Sequence, residues 1–194
     1  MTTNPEIGQA LQKLIEGNKR FFTSRQSHPN QQRERRQELV KGQKPFAVIV
    51  GCSDSRIPPE IIFDQGLGDL FVVRVAGNVM DDMALASIEY AVDHLGTQLI
   101  VVLGHSKCGA VTAVVQGGAI HGYMESIAQA IRPAIDKARE LPGDFTDHTI
   151  KANARLVADR IRSSDPILSE MVRLGRLAVV SAYYNIESGE VHIL

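Results

Sequence analysis

The sequence predicts an α/β fold in which a mainly parallel central sheet is flanked by helices, with an amino-terminal helical arm and an antiparallel strand near the carboxyl terminus. Four short apolar runs rich in branched residues, FAVIVG, LFVVRV, QLIVVLG and RLAVVSAYY, are typical of strands buried on both faces. Segments with helical periodicity separate these runs, and strands that alternate with helices favour a parallel sheet. A turn over residues 187–190 is expected to fold VHIL back against the last run as the antiparallel strand.

Capping residues and apolar periodicity predict the helices. Asn4 offers an N-cap and Pro5 a first helical residue for an amphipathic helix over residues 5–16. The segment DMALASIEYAVDHLG predicts the clearest of the later helices. The remaining helices are predicted over four segments: the residues after Cys108, residues 122–139, residues 147–163, and the stretch from Asp165-Pro166 to Gly175.

The chain divides into an arm, residues 1–42, and one α/β domain, residues 43–194. A length of 194 residues suits one compact domain. The charged segment QQRERRQELVKG in the arm has few apolar side chains to bury against the chain's own core. We therefore expect the arm to pack on a partner subunit.

Composition excludes several classes of partner. Twenty-one basic residues against 22 acidic residues give a net charge of -1, so binding to nucleic acid or to an anionic membrane is not expected. No apolar run is long enough to cross a membrane, and the amino terminus does not resemble a secretory signal, so a cytoplasmic location is expected. Small molecules and further copies of the chain are the expected partners.

Two cysteines and a histidine form the most informative pattern. Cys52 follows the first predicted strand, and His105 and Cys108 follow the third. In open α/β sheets ligands gather at the carboxyl ends of strands, and thiolate and imidazole groups bind zinc well. Ordinary buried thiols or a structural zinc site remain alternatives at this point. A catalytic zinc needs three protein ligands and a fourth position for water.

Asp54 and Arg56 add groups that a structural zinc site does not need. A carboxylate two residues from a ligand is able to orient a water molecule at the fourth position, and an arginine two residues further on is able to bind that carboxylate bidentately. The same carboxylate is a possible fourth ligand, which would close the site. The sequence does not decide between these two states.

The segments GCSDSRIPPEIIFDQGLGDLFVVRVAGN, SIEYAVDHLG and VVLGHSKCGAV resemble the beta-class carbonic anhydrase family. The resemblance implies that Zn2+ is bound by Cys52, His105 and Cys108, and that Asp54 and Arg56 form a catalytic dyad. It also implies reversible hydration of carbon dioxide to bicarbonate and a proton by a zinc-bound hydroxide, in a homodimer or a homotetramer.

The same resemblance implies an apolar substrate cleft at a subunit interface. The matching residues are Gln43, Phe71, Ala76 and Tyr90. An apolar slot suits carbon dioxide, which has no net charge or dipole, and a side-chain amide is able to bind one of its oxygens. The surface histidine His121 is the candidate for transferring the released proton to solvent, because imidazole titrates near neutrality.

Some members of this family have a second, inhibitory bicarbonate site that uses a tryptophan and an arginine. Arg74 matches the arginine, but Ile49 occupies the tryptophan position, and the chain contains no tryptophan. The known form of that site is therefore not expected, and Arg74 is equally well interpreted as structural.

Three further functions are alternatives. COS or CS2 hydrolysis would use the same scaffold, since both substrates are linear and apolar. A non-catalytic protein with structural zinc would require a fourth ligand, for which Asp54 is the candidate. A nicotinamide-dependent enzyme is disfavoured because the glycine loop at residues 66–71 lacks a third glycine and precedes a strand.

Overall fold

The structure, a computed structural model, describes residues 4–118 and 120–194, in which a five-stranded sheet has the order β2-β1-β3-β4-β5. Strands β1 to β4 are parallel, and β5 pairs antiparallel with β4. The predicted α/β architecture, including the antiparallel strand at the end, is confirmed. The strands are β1 (Ala47–Gly51), β2 (Leu70–Arg74), β3 (Leu99–His105), β4 (Ala178–Tyr184) and β5 (Val191–Ile193).

Helices cover both faces of this sheet. In the described part of the chain they are α1 (Pro5–Phe22), α2 (Arg33–Leu39), α3 (Pro59–Ile62), α4 (Asp82–Asp93), α5 (Gly109–Gln116), α6 (Met124–Ala138), α7 (Phe145–Arg162) and α8 (Ile167–Arg173). A 3-10 turn, Ala76–Asn78, follows β2. Most predicted helices lie where expected, whereas α2 and α3 occur in segments for which no helix is predicted.

Alternate residues of the central strands pack on opposite layers, as the two-residue period of a strand requires. Val48 and Val50 of β1 face the cluster formed with Ile88 of α4 and Leu168 of α8. Ile49, between them, faces the cluster that includes α1, α3 and α6. Both faces are therefore apolar, which explains why the sequence of these strands is continuously hydrophobic.

Helix α1 is longer than predicted and packs on its own chain. The prediction ends at residue 16, but the helix continues to Phe22 because Gly17 and Asn18 are buried in contact with the domain. The Asn18 side-chain amide donates hydrogen bonds to the carbonyls of Ile62 at 3.1 Å and Gly189 at 2.9 Å. Polar and glycine residues carry no apolar periodicity, so this part of the interface leaves no helical signal.

Two aspartates attach the rest of the arm to the domain. Asp64 accepts hydrogen bonds from Arg20 Nε at 2.6 Å and from the backbone N–H of Ser27 at 3.0 Å. Burial favours a higher pKa for Asp64, but the hydrogen bonds from Ser27 and Arg20 outweigh it and lower the pKa to about 2. Asp69 accepts from the side-chain amide of Asn30 at 2.9 Å. These contacts lie within one chain, and packing of the arm on a partner subunit stays a prediction.

None of the helices within residues 4–118 and 120–194 combines the length and the apolar character that a membrane span requires.

We expect Gly17→Ala to destabilise the protein by about 1–3 kcal/mol, the usual cost of overpacking. A Cβ at this position would lie 1.8 Å from the Phe63 carbonyl oxygen, so α1 would have to move away from the domain. The measurement is the urea concentration at half-unfolding, followed by circular dichroism.

Gly8→Ala is the matched control in the same helix, because nothing lies within 4 Å of a Cβ at Gly8. This change is expected to be neutral or to stabilise by up to about 1 kcal/mol. Equal unfolding midpoints for the two variants would show that α1 is not packed on its own domain.

Candidate metal centre

Three metal-ligating side chains converge at the carboxyl edge of the sheet. Cys52 follows β1 directly, His105 is the last residue of β3, and Cys108 immediately precedes α5. Strands β1 and β3 are neighbours that pair Gly51 with Leu103, so their ends lie side by side. The ligand atoms of Cys52, His105 and Cys108 lie within 4.8 Å of one another. We call this group the metal centre.

The donor atoms of the metal centre suit a metal such as zinc. Both cysteines are free thiols, and all three residues are buried. His105 Nδ1 lies 3.0 Å from the Ser106 carbonyl oxygen, which fixes the hydrogen on Nδ1 and leaves the lone pair on Nε2. Nε2 is buried and has no hydrogen-bond partner among the described residues. A buried atom of this kind is costly unless it binds something, and a metal ion supplies that partner.

The pKa values of the two thiols are shifted in opposite directions. The hydrogen bond from Cys108 lowers the pKa of Cys52 to about 4, against the opposing effect of burial. The same hydrogen bond, together with burial, raises the pKa of Cys108. Because metal ligands must be deprotonated, a dication bound here would stabilise both thiolates.

The turn after β2 supports Cys52. The backbone N–H of Gly77 donates a hydrogen bond to Cys52 Sγ at 3.1 Å. Gly77 has a φ of 69° and Asn78 a φ of 44°, in the left-handed region where glycine and asparagine are best tolerated. This tight turn brings a backbone donor to the sulfur.

Asp54 and Arg56 form a bidentate pair beside the metal centre. Arg56 donates from Nε to Asp54 Oδ1 at 2.9 Å and from Nη2 to Oδ2 at 2.7 Å. The hydrogen bond from Arg56 holds the pKa of Asp54 well below its usual range, so the carboxylate is ionised at neutral pH. Arg56 also donates to the Lys107 carbonyl at 3.1 Å, which joins the two loops that carry the cysteines.

Arg74, at the end of β2, has a structural contact in this chain. Its guanidinium donates to the carbonyls of Cys52 at 2.8 Å and Asp54 at 2.6 Å. These two bonds fix the backbone that carries a metal-ligating side chain and the neighbouring carboxylate. These contacts agree with the structural interpretation of Arg74.

The four predicted cleft residues do not lie together in one chain. Ala76 begins the turn that contains Gly77, close to the metal centre. The rings of Phe71 and Tyr90 contact each other, with centroids 6.3 Å apart, on β2 and α4. Phe71 pairs with Val48, which lies about 13 Å along the strand from Cys52. Their role in a cleft therefore stays a prediction.

Gln43 and His121 lie on the surface. Gln43 lines a shallow groove of about 320 Å³ together with residues of α2. His121 is exposed in the segment between α5 and α6. Its part in proton transfer stays a prediction.

Ser106 also supports the site, although its sequence context does not predict this role. Besides the contact of its carbonyl with His105, its hydroxyl accepts a hydrogen bond from the backbone N–H of Ile186 at 2.9 Å. Its own N–H donates to the Tyr184 carbonyl at 2.9 Å. Its position between His105 and Cys108 was the only signal available.

Comparisons with known proteins agree with this geometry. The profile of the family described as carbonic anhydrase matches residues 47–191. Carbonic anhydrase 2 of Mycobacterium tuberculosis is 42% identical over 191 residues, which cover 96% of this chain and 91% of the relative. The carbonic anhydrase of Synechococcus elongatus is 34% identical over 199 residues and covers 93% of this chain and 70% of that protein.

Solved structures show the same fold. A tetrameric beta-carbonic anhydrase from Sordaria macrospora superposes with a TM-score of 0.75 and 27% identity, covering 81% of this chain and 84% of that chain. The beta-carbonic anhydrase of Coccomyxa in complex with acetazolamide gives a TM-score of 0.73 and 28% identity, covering 81% of this chain and 75% of that chain. The chain therefore belongs to the beta-class carbonic anhydrase family and is an enzyme of that class.

Proposed function

We propose that the chain catalyses the zinc-dependent, reversible hydration of carbon dioxide to bicarbonate and a proton at the metal centre. The observation that carries this proposal is the position of the Asp54–Arg56 pair, whose carboxylate Oδ2 lies 4.0 Å from His105 Nε2. A carboxylate at this distance is placed to act on a water molecule held beside the ligands. Membership of the carbonic anhydrase family supports the reaction class.

The donor set supports zinc as the cofactor. Two thiolates and one imidazole are ligands that zinc prefers, and zinc, when bound, supplies a Lewis acid that lowers the pKa of a water molecule. Structural zinc sites usually have four protein ligands, whereas the group found within the described residues has three members. The donor count favours a catalytic site over a structural one.

We assign to Asp54 the acceptance of a hydrogen bond from the reacting water. Arg56 keeps the carboxylate ionised and fixes its orientation through the two bonds described above. Asp54 is held by Arg56 outside the group of described residues whose ligand atoms lie within 4.8 Å of one another. This pairing supports a resting state in which water, and not Asp54, has access to the fourth position.

The proposal includes a homodimer or homotetramer that completes the substrate cleft with Gln43, Phe71, Ala76 and Tyr90. The description of the Sordaria macrospora relative as tetrameric supports assembly. Tyr90 has 47% of its surface exposed in the single chain, and a second copy would cover it. The reduced thiols that the centre needs are maintained in the cytoplasm, which supports the predicted location.

We expect Cys52→Ser and His105→Ala to lose both metal and activity. Each change removes one of three ligands, so zinc should fall from about one ion per chain to well below that level. Metal analysis of the purified variants measures the first effect. Stopped-flow hydration of carbon dioxide from about pH 7 to 9, with COS as a parallel substrate, measures the second.

His192→Ala is the control for these variants, since His192 is exposed on β5 and stays outside the metal centre. It should retain zinc and activity. Wild-type protein that holds zinc but hydrates no carbon dioxide at any pH would contradict the proposed reaction and favour a structural metal. Turnover of COS without hydration of carbon dioxide would indicate a COS hydrolase instead.

Asp54→Asn and Arg56→Gln should retain zinc but lower kcat/KM for hydration by about 10²- to 10⁴-fold, the usual contribution of a positioned proton acceptor. The metal ligands are intact in both variants, so the loss reflects orientation of the reacting water. Stopped-flow kinetics on variants with verified zinc content provide the measurement.

Arg173→Gln provides a matched control for the dyad. Arg173 donates to Glu170 in the same bidentate manner, at 2.8 and 2.6 Å, on the exposed face of α8. This variant should keep wild-type kinetics. A dyad variant with unchanged kcat/KM would exclude the role assigned to Asp54 and Arg56.

Tyr90→Arg should shift the protein toward smaller assemblies and lower its activity, because a charge on the proposed subunit interface is costly to bury. Sedimentation velocity measures the assembly, and hydration kinetics at the same concentrations measure the consequence. Tyr123→Arg is the control, since Tyr123 is 96% exposed and lies outside the predicted cleft. Unaltered sedimentation of Tyr90→Arg would argue against the interface.

A further inference from the structure

Asn153 of α7 contacts the same turn that donates a hydrogen bond to Cys52. Its side-chain Nδ2 donates a hydrogen bond to the Gly77 carbonyl at 2.9 Å, while the Gly77 N–H donates to Cys52 Sγ at 3.1 Å. We propose that Asn153 is a positioning residue that orients Gly77 toward the sulfur and thereby raises the affinity of the metal centre for zinc. The inference rests on the proposed function, because it requires zinc at this centre.

The contact is long-range and fully buried. Asn153 is 1% exposed, and 76 residues separate it from Gly77 in the sequence. A buried amide is costly unless it is hydrogen-bonded, so this bond is expected to persist in the folded protein. Helix α7 packs along β3 and β4, which makes it a rigid support for the turn.

Gly77 is held by apolar contacts and by hydrogen bonds to the peptide group that follows it. A Cβ on Gly77 would lie 3.1 Å from Ile131 Cδ1 and 3.3 Å from Ala110 Cβ, so α6 and α5 enclose the turn by apolar contact. Apolar contacts limit the position of the turn but not the rotation of its peptide groups. Two hydrogen bonds supply that orientation, since each has a preferred angle. The Asn78 N–H donates to the Val75 carbonyl at 2.8 Å within the turn, and the Gly77 carbonyl accepts from Asn153, which reaches the turn from α7.

Orientation of this turn has a chemical consequence for the ligand. A hydrogen bond to a thiolate stabilises its negative charge and fixes the sulfur relative to the other ligands. Removal of partners that support metal ligands typically lowers metal affinity about 10- to 100-fold. Loss of the Asn153 amide should therefore weaken zinc binding, although Asn153 is not itself a ligand.

Asn18 offers a matched control within the same chain. It is also a buried asparagine, and its Nδ2 donates to the backbone carbonyls of Ile62 and Gly189. These acceptors lie in the interface between α1 and the domain and not in the turn at Gly77. Asn18→Ala thus removes a comparable buried donor without touching the support of Cys52.

The experiment compares Asn153→Ala, Asn153→Leu and Asn18→Ala with the wild type. Alanine is smaller and leucine is larger than asparagine, and neither donates a hydrogen bond, so an effect shared by both variants separates the bond from packing. Zinc affinity is measured by competition with a chromophoric chelator. The second readout is the sulfur-to-metal charge-transfer band of the Co2+-loaded protein, which reports on the thiolates, and urea unfolding reports on stability.

We expect both Asn153 variants to raise the dissociation constant for zinc about tenfold or more. Their charge-transfer band should move to longer wavelength, because a thiolate that loses a hydrogen bond is a stronger electron donor. Asn18→Ala should lower the unfolding midpoint but keep the zinc affinity within about twofold of the wild type, with an unshifted band.

Two results would overturn the inference and are distinguishable. If the wild type binds zinc and Asn153→Leu folds with unchanged affinity and an unshifted band, the positioning role alone is wrong. If the wild type itself fails to bind about one zinc per chain, the proposed function is wrong and the positioning role with it.

Discussion

The parallel pairing of β1 with β3 is the constraint on which the metal centre depends. Their register places Gly51 opposite Leu103, so the chain leaves β1 at Cys52 beside the end of β3 at His105. A shift of this register by one residue would reverse the faces to which their side chains point, because the strand period is two. The apolar layers on both sides of these strands therefore fix the geometry of the ligands as well as the stability of the sheet.

Charge at the centre is compensated locally. Two thiolates match the charge of a divalent cation, and the Asp54–Arg56 pair beside them adds no net charge. The arginines do more than neutralise: Arg56 joins the loop of Asp54 to Lys107, and Arg74 holds the backbone carbonyls of Cys52 and Asp54. These hydrogen bonds fix the backbone and the carboxylate around the metal centre.

The sequence predicts well those elements and site residues whose cause lies in neighbouring residues of the chain. Buried parallel strands need continuous apolar runs, and the ligands follow those runs within a few residues, so Cys52 and His105 are visible in the sequence. The end of α1 is not visible, because it depends on the close approach of Gly17 to Phe63. Asn153 is also invisible, since nothing near it in the sequence indicates that it reaches Gly77.

The predicted substrate cleft also depends on contacts between distant residues, in this case residues of different subunits. Phe71 and Tyr90 form an aromatic pair on the edge strand β2 and on α4, away from the metal centre of their own chain. An exposed apolar edge is unfavourable for an isolated subunit and is usually covered. Under the proposed assembly, a second copy covers this pair and supplies an apolar wall for carbon dioxide. Metal binding, which uses three residues of one chain, would then be independent of assembly, whereas activity would require it.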